Sequence, residues 1–206
     1  MGLRADQPGL RLSAASRLWP LRIRPDVSPT DDELFALCAA NPELRIERAA
    51  DGELWVMPPT GGVTGRRNTE LTFQFARWDR SNDTGVVFDS STGFVLPNGA
   101  QRSPDVAWVA RSRWEALRPS EQERFPPLCP DVVVELRSST DRLGPLETKM
   151  VEYVTQGTQL AWLIDPTTRR VHVYRPERPP HILETPSQVS GDPPMTGFML
   201  DVAPLW

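Results

Sequence analysis

Two short stretches of this chain put carboxylates where a buried strand should carry only apolar side chains. In Val132-Val133-Val134-Glu135-Leu136-Arg137-Ser138, three β-branched residues announce a strand, and a carboxylate and a guanidinium then interrupt it. Side chains alternate between faces along a strand, so Glu135 and Arg137 point the same way as Val133. A buried, unpaired carboxylate costs several kcal/mol, so Glu135 needs a cation, a metal ion or water at a sheet end. The plainer alternative is an edge-strand surface pair worth roughly 0 to 1 kcal/mol. Upstream, Ser103-Pro104-Asp105-Val106-Ala107-Trp108-Val109 repeats the pattern, with Asp105, Ala107 and Val109 on one face. Two carboxylates on neighbouring strands, aimed at one spot, suit a hard divalent cation such as Mg²⁺, which takes oxygen ligands and keeps several of its waters.

Composition narrows the alternatives. At 206 residues the chain suits one domain with a substantial core. No apolar run approaches the roughly 20 residues of a membrane-spanning helix. Cys38 and Cys129 lack metal-ligand spacing, and His172 and His181 are the only histidines, which argues against zinc and fits idle thiols of a cytoplasmic protein. A formal net charge of −4 excludes a protein that coats nucleic acid through its overall field, so any such contact needs a local basic patch. A Gly-rich phosphate loop and a nucleophile elbow are both missing.

The elements that must position these acids follow from periodicity. Thr30 is a predicted N-cap, with Asp31, Asp32 and Glu33 in the first turn of a helix that ends near Asn41-Pro42. Alternation on both sides of Asp51-Gly52 predicts a hairpin. After Thr60-Gly61-Gly62, read as a turn, Leu71, Phe75 and Trp78 mark an amphipathic helix of about four turns. Three strands are expected across residues 85–110, with a turn at Pro97-Asn98-Gly99, followed by a helical excursion of mixed charge. A strand at Val132–Leu136 leads into a helix with Pro145 near its start and Gly157 just past its end, and then into a strand pair around Pro166-Thr167-Thr168. The C-terminal GFMLDVAPLW is read as a closing strand, a candidate subunit contact. This order predicts a mixed α/β or α+β sheet. Residues 1–29 have no apolar core of a secretory signal and are read as a partly disordered extension, or else as an organellar or fusion-derived leader, before a domain at 30–206.

The segments PPTGGVTGRRNTEL, VVFDSSTGFVLPNGAQRS, RSPDVAWV and FPPLCPDVVVELRSSTDRLGPLETKMVEYVTQGTQLAWLIDP resemble, in order and spacing, the Uma-type restriction endonucleases, a branch of the PD-(D/E)xK nuclease superfamily. The resemblance runs from about Thr30 to Trp206. It implies a restriction-endonuclease-like central mixed β-sheet flanked by helices, Mg²⁺-dependent (or Mn²⁺-dependent) cleavage of phosphodiester bonds in DNA, and a homodimer or higher homo-oligomer. Asp105 matches the family's first metal-binding acid and Glu135 the acid of the (D/E)xK element. Arg137 stands where the superfamily lysine would follow, and a guanidinium can clamp a phosphate but hardly serves as a base.

A migrated lysine can be sought in the next helix, where Leu146, Met150, Tyr153 and Val154 form one stripe and Lys149 lies on its margin. Lys149 either reaches into the site or snorkels to solvent. Glu70 corresponds to an acid that related nucleases carry on their first core helix; the helical wheel leaves a solvent-exposed role equally open. In the implied chemistry Asp105 and Glu135, with Glu70, hold the metal, Lys149 orients or deprotonates a water, and Arg137 offsets charge on the phosphate. Arg66, Arg67, Arg137, Arg142 and Lys149 would line the DNA groove. The competing readings are a catalytically inactive nuclease-fold module that binds DNA or protein, and a purely structural ion-pair network. Seven tryptophans offer either a base-stacking platform or, more simply, core.

Overall fold

A computed structural model describes residues 20–206 of the chain. In order, the elements are β1 (Leu21–Ile23), α1 (Asp31–Ala40), β2 (Arg45–Arg48), β3 (Leu54–Met57), α2 (Gly62–Asn82), β4 (Gly85–Asp89), β5 (Phe94–Val95), β6 (Gln101–Arg102) and β7 (Val106–Ala110). Then come α3 (Arg111–Glu115), α4 (Pro119–Gln122), β8 (Val132–Leu136), α5 (Leu143–Thr155), β9 (Leu160–Asp165), β10 (Arg170–Tyr174), β11 (His181–Glu184), β12 (Gln188–Ser190) and β13 (Met199–Asp201). A six-stranded sheet runs β11-β10-β9-β8-β7-β4, a five-stranded sheet runs β1-β3-β2-β6-β5, and β12 pairs with β13 alone. The large sheet is mixed: β8 and β9 are parallel and joined through α5, while its other ladders are antiparallel. This is the α/β architecture expected from the sequence.

All five residues of β8 are buried because both faces of the sheet are covered. On one face Val132, Val134 and Leu136 join Trp162, Leu71 and Phe75 of α2, and Phe198 and Leu200 of the C-terminal segment. On the other, Val133 joins Ala107, Val109 and Leu163 beneath Met150 and Tyr153 of α5. The smaller sheet presents Ile46, Leu54 and Val56 to Leu34 of α1. The Thr30 cap is realised as a reciprocal pair: Glu33 N–H donates to Thr30 Oγ1 at 3.3 Å and Thr30 N–H to the Glu33 carboxylate at 2.8 Å.

Three local expectations change. Helix α2 runs for 21 residues because Gly61 is its N-cap rather than part of a turn. The stretch expected to hold three strands holds four, since the β5–β6 hairpin turning at Gly99 (φ 82°) leaves the large sheet and pairs with β2. The C-terminal strand closes neither large sheet: β13 pairs with β12, and the Gln74 side chain of α2 holds it by both donating to and accepting from the Asp201 backbone, at 2.9 and 2.8 Å. Of the proposed extension, residues 1–19 lie outside the described residues, whereas Leu21–Ile23 pairs with β3. No helix among the described residues is long and apolar enough to cross a membrane.

Most of the tryptophans serve the core. Trp162 meets Phe75 edge-to-face at 6.1 Å, Trp78 meets Trp108 at 6.3 Å, and Trp114 meets Phe88 at 5.1 Å. Phe75, fully buried, also packs against Phe198 at 4.7 Å and so joins α2, the sheet and the C-terminal segment. Phe75→Ala should therefore lower unfolding free energy by about 3 to 5 kcal/mol, read by urea denaturation; a loss under about 1 kcal/mol would contradict this packing.

Candidate functional site

Glu135 and Asp105 meet because of strand register. Val106 of β7 lies opposite Val134 of β8, and continuing that antiparallel ladder by one residue sets Asp105 opposite Glu135. Both then share the α5 side of the sheet with Val133 and Ala107. Leu136 N–H donates to Asp105 Oδ2 at 2.8 Å, fixing that carboxylate across the strand end. Glu135 Oε1 accepts from Tyr153 Oη at 3.0 Å and lies 2.7 Å from Lys149 Nζ. Both donors come from α5, one turn apart, so the crossover helix that connects β8 to β9 also supplies the partners of the β8 carboxylate. Lys149 does not snorkel out: it is 7% exposed.

The second partner of Lys149 is Glu47, with Nζ to Oε1 at 2.8 Å. This residue was not anticipated. It lies on β2, whose alternation sends Ile46 to the α1 core and Glu47 to the opposite face. On a lone hairpin that face would be solvent, but here it is turned onto α5 and Glu47 is 1% exposed. Arg102 of β6 lies 3.4 Å from Glu47 Oε2, and Ser103 N–H donates to Glu47 Oε1 at 3.1 Å. Arg45, two residues before Glu47 on the same strand, bridges to Asp105 Oδ1 at 3.3 Å and also binds the Ser103 carbonyl. Arg102 further pairs with Glu152 of α5 at 2.7 Å and stacks over Trp55, with Arg22 on the same ring, each 4.7 Å from its centroid. The sequence signal for Glu47 is weaker than for Glu135: an acid in a strand where Arg45, on the same face, marks that face as polar.

The two acids that share Lys149 differ electrostatically. Burial pushes the Glu47 carboxyl up, but Lys149, Arg45 and Arg102 together outweigh it and hold it down to about 2. Burial also pushes the Glu135 carboxyl up; Lys149 pulls against that rise, Asp105 adds to it, and Glu135 stays above the ordinary carboxylate range. Burial and the neighbouring carboxylates of Glu135 and Glu47 raise the Tyr153 hydroxyl well above its usual value, so it remains a donor.

The remaining sequence candidates lie elsewhere. Glu70 is half-buried on α2 and accepts from Gln74 at 2.9 Å. Asn68, about 200° around that helix from Glu70, is the α2 residue that reaches the cluster, donating to Asp105 Oδ1 at 3.2 Å. Arg137 shares the Glu135 face but sits at the end of β8, where it pairs with Asp165 at 2.7 Å and donates to the Asp141 carbonyl at 3.2 Å. Burial raises the Asp165 carboxyl, yet hydrogen bonds from Arg137 and Thr168 hold it below the ordinary range. Arg45, rather than Arg137, is therefore the guanidinium at Asp105. Arg66 and Arg142 are exposed and Arg67 half-buried.

A folded-state carboxyl lowered from 4.5 to about 2 binds fewer protons than in the unfolded chain, so Glu47 adds stability that is complete above about pH 4.5 and is lost as pH falls toward 2. Glu47→Gln should flatten the fall in unfolding free energy across that window; an unchanged slope would remove Glu47 from the acid-labile network.

A search of curated proteins finds no match. A family model described as "Uma2: Putative restriction endonuclease" matches residues 31–203. Among solved structures, the fold is similar to that of "a putative nuclease belonging to DUF820 from Anabaena variabilis ATCC 29413", with a TM-score of 0.70 and 20% identity over 86% of this chain and 97% of that chain. At that identity the likeness establishes the fold, while the family model spans most of the chain and includes Glu47, Asp105, Glu135 and Lys149. The chain belongs to the Uma2 family of restriction-endonuclease-like proteins.

Proposed function

We propose that the protein is a metal-dependent endodeoxyribonuclease that hydrolyses phosphodiester bonds in DNA, with Mg²⁺ as the cation and Mn²⁺ as a substitute. The observation that carries this reading is the pairing of Asp105 and Glu135 across β7 and β8, with Lys149 buried beside them. The donor set fits a hard divalent cation. Both acids offer carboxylate oxygens, and the Tyr153 hydroxyl and the Lys149 ammonium both meet Glu135 at Oε1, the side turned to α5. Glu135, raised by burial and by Asp105, is a carboxylate that further positive charge would favour in its ionised form.

Bound there, the cation would polarise a phosphate oxygen and lower the pKa of a coordinated water. Lys149, hydrogen-bonded to Glu47 and ion-paired with Glu135, orients water and offsets negative charge. Glu47 is a positioning residue that holds Lys149 toward Glu135. Tyr153 fixes the Glu135 carboxylate. Arg66, Arg67 and Arg142 supply local positive charge for the DNA backbone, with Arg137 at the rim. The family resemblance supports a homo-oligomer, and the two free cysteines support work in the reducing cytoplasm.

A second reading is favoured by one observation. Glu47, Asp105, Glu135 and Glu152 already face Arg45, Arg102 and Lys149, so the cluster is nearly neutral without a metal. A nuclease-fold module that binds DNA or protein without cleaving it would carry such a network as structure.

Plasmid nicking assayed with and without Mg²⁺ separates the two. Divalent-dependent cleavage that Asp105→Ala abolishes, with the circular dichroism spectrum retained, is the expected result. Cleavage that survives Asp105→Ala would refute the assignment, and a wild-type protein inert with both Mg²⁺ and Mn²⁺ would favour the non-catalytic module.

A further inference from the structure

We infer that Asn68 of α2 supplies a third oxygen to the divalent cation, completing with Asp105 and Glu135 a set of two anionic ligands and one neutral one. This rests on the metal-dependent reading above. Asp105 uses its oxygens unequally: Oδ2 is held by the Leu136 N–H at 2.8 Å, while Oδ1 has only the longer contacts to Arg45 at 3.3 Å and Asn68 at 3.2 Å. Charge-assisted hydrogen bonds in firm geometry are nearer 2.7 to 2.9 Å, about the length of the Oδ2 contact, so Oδ1 is the more readily released.

The other half of the Asn68 amide is the telling part. Its Oδ1 is buried with no hydrogen-bond partner, although buried amide oxygens are nearly always paired. Turning the amide by half a rotation about Cβ–Cγ exchanges its nitrogen and oxygen. That turn gives up the single bond to Asp105 and nothing on the oxygen side, because the oxygen holds nothing. It brings Oδ1 to the place of Nδ2, 3.2 Å from Asp105 Oδ1. Two oxygens bound at right angles on Mg²⁺, each at about 2.1 Å, lie about 3.0 Å apart. The present spacing of these two side chains is therefore close to that of adjacent ligands on one ion.

Charge also favours an amide here. Among the described residues no three His, Cys, Asp or Glu side chains converge as metal ligands. Glu47 is committed to Lys149, Arg45 and Arg102, and Glu70 is turned away on the helix, bonded to Gln74. A further carboxylate would add to the repulsion that Asp105 already exerts on Glu135, whereas an amide adds an oxygen without charge. Arg45 can yield Asp105 Oδ1 to a cation while keeping Glu47 and the Ser103 carbonyl.

Mn²⁺ binding to the full chain, followed by electron paramagnetic resonance of the free ion and by calorimetry, tests the assignment without any cleavage readout. Asn68→Leu, similar in size but without the oxygen, should weaken Mn²⁺ binding about tenfold or more. Asn68→Asp, which restores an oxygen, should bind at least as tightly as the parent. If Asp105→Ala abolishes binding while Asn68→Leu binds like the parent, Asn68 is not a ligand and the metal site stands without it. A parent that binds no Mn²⁺ overturns both this assignment and the reading beneath it. Should Asn68→Leu fail to fold by circular dichroism, the smaller Asn68→Ala decides in its place: Mn²⁺ affinity equal to the parent's would overturn the assignment.

Discussion

A buried ammonium has to be answered by carboxylates, and in this protein that single requirement ties the two sheets together. Lys149 lies 2.7 Å from Glu135 on the large sheet and 2.8 Å from Glu47 on the small one. Removing Lys149 leaves the Glu135 carboxylate without its ion pair in a water-poor setting, which is far costlier than losing a surface pair. The five-stranded sheet is thus docked by electrostatics on the face turned to α5, and by apolar contact on the face turned to α1. Arg102 extends the docking to Glu152, and Arg45 extends it to Asp105, so that charges alternate across the junction.

Given that junction, the rest of the architecture has little freedom. The β7–β8 register must bring Asp105 level with Glu135, because a slip of one residue would send one acid into the core formed by Leu71, Phe75 and Trp162. Helix α5 must begin soon after β8 and end before β9, since Lys149, Met150 and Tyr153 reach one sheet face from successive turns. Helix α2 holds the opposite face through Leu71 and Phe75, and its first half passes the sheet end closely enough for Asn68 to touch Asp105.

Much of this was written locally in the sequence. The capped first helix, the hairpin at Asp51-Gly52, the buried β8 strand and the α5 boundaries follow from capping residues, turn residues and periodicity, which act over a few positions. Asp105 and Glu135 were legible for the same reason: an acid among β-branched residues has to be answered somewhere. Glu47 was not, because alternation in β2 marks its face as polar, and only the arrival of α5 makes a polar face a buried one. Neither the rotation that favours Asn68 over Glu70 nor the capture of Arg137 by Asp165 leaves a trace in spacing alone, since each depends on where α2 and β9 finally lie. The departure of the β5–β6 hairpin to the smaller sheet is of the same kind: its turn was readable, its partner strand was not.

Glu47 and Lys149 are separated by 102 positions along the chain, whereas Glu135 and Tyr153 are separated by 18. Contacts between near neighbours close with little loss of chain entropy, and contacts across such spans demand a search. The strand-helix-strand unit from β8 to β9 can therefore draw Tyr153 onto Glu135 by itself, while the ammonium gains its second carboxylate only once the N-terminal hairpin has arrived. The complete arrangement belongs to the finished tertiary structure, and a fragment lacking either end of that long loop would hold an incomplete set of charges.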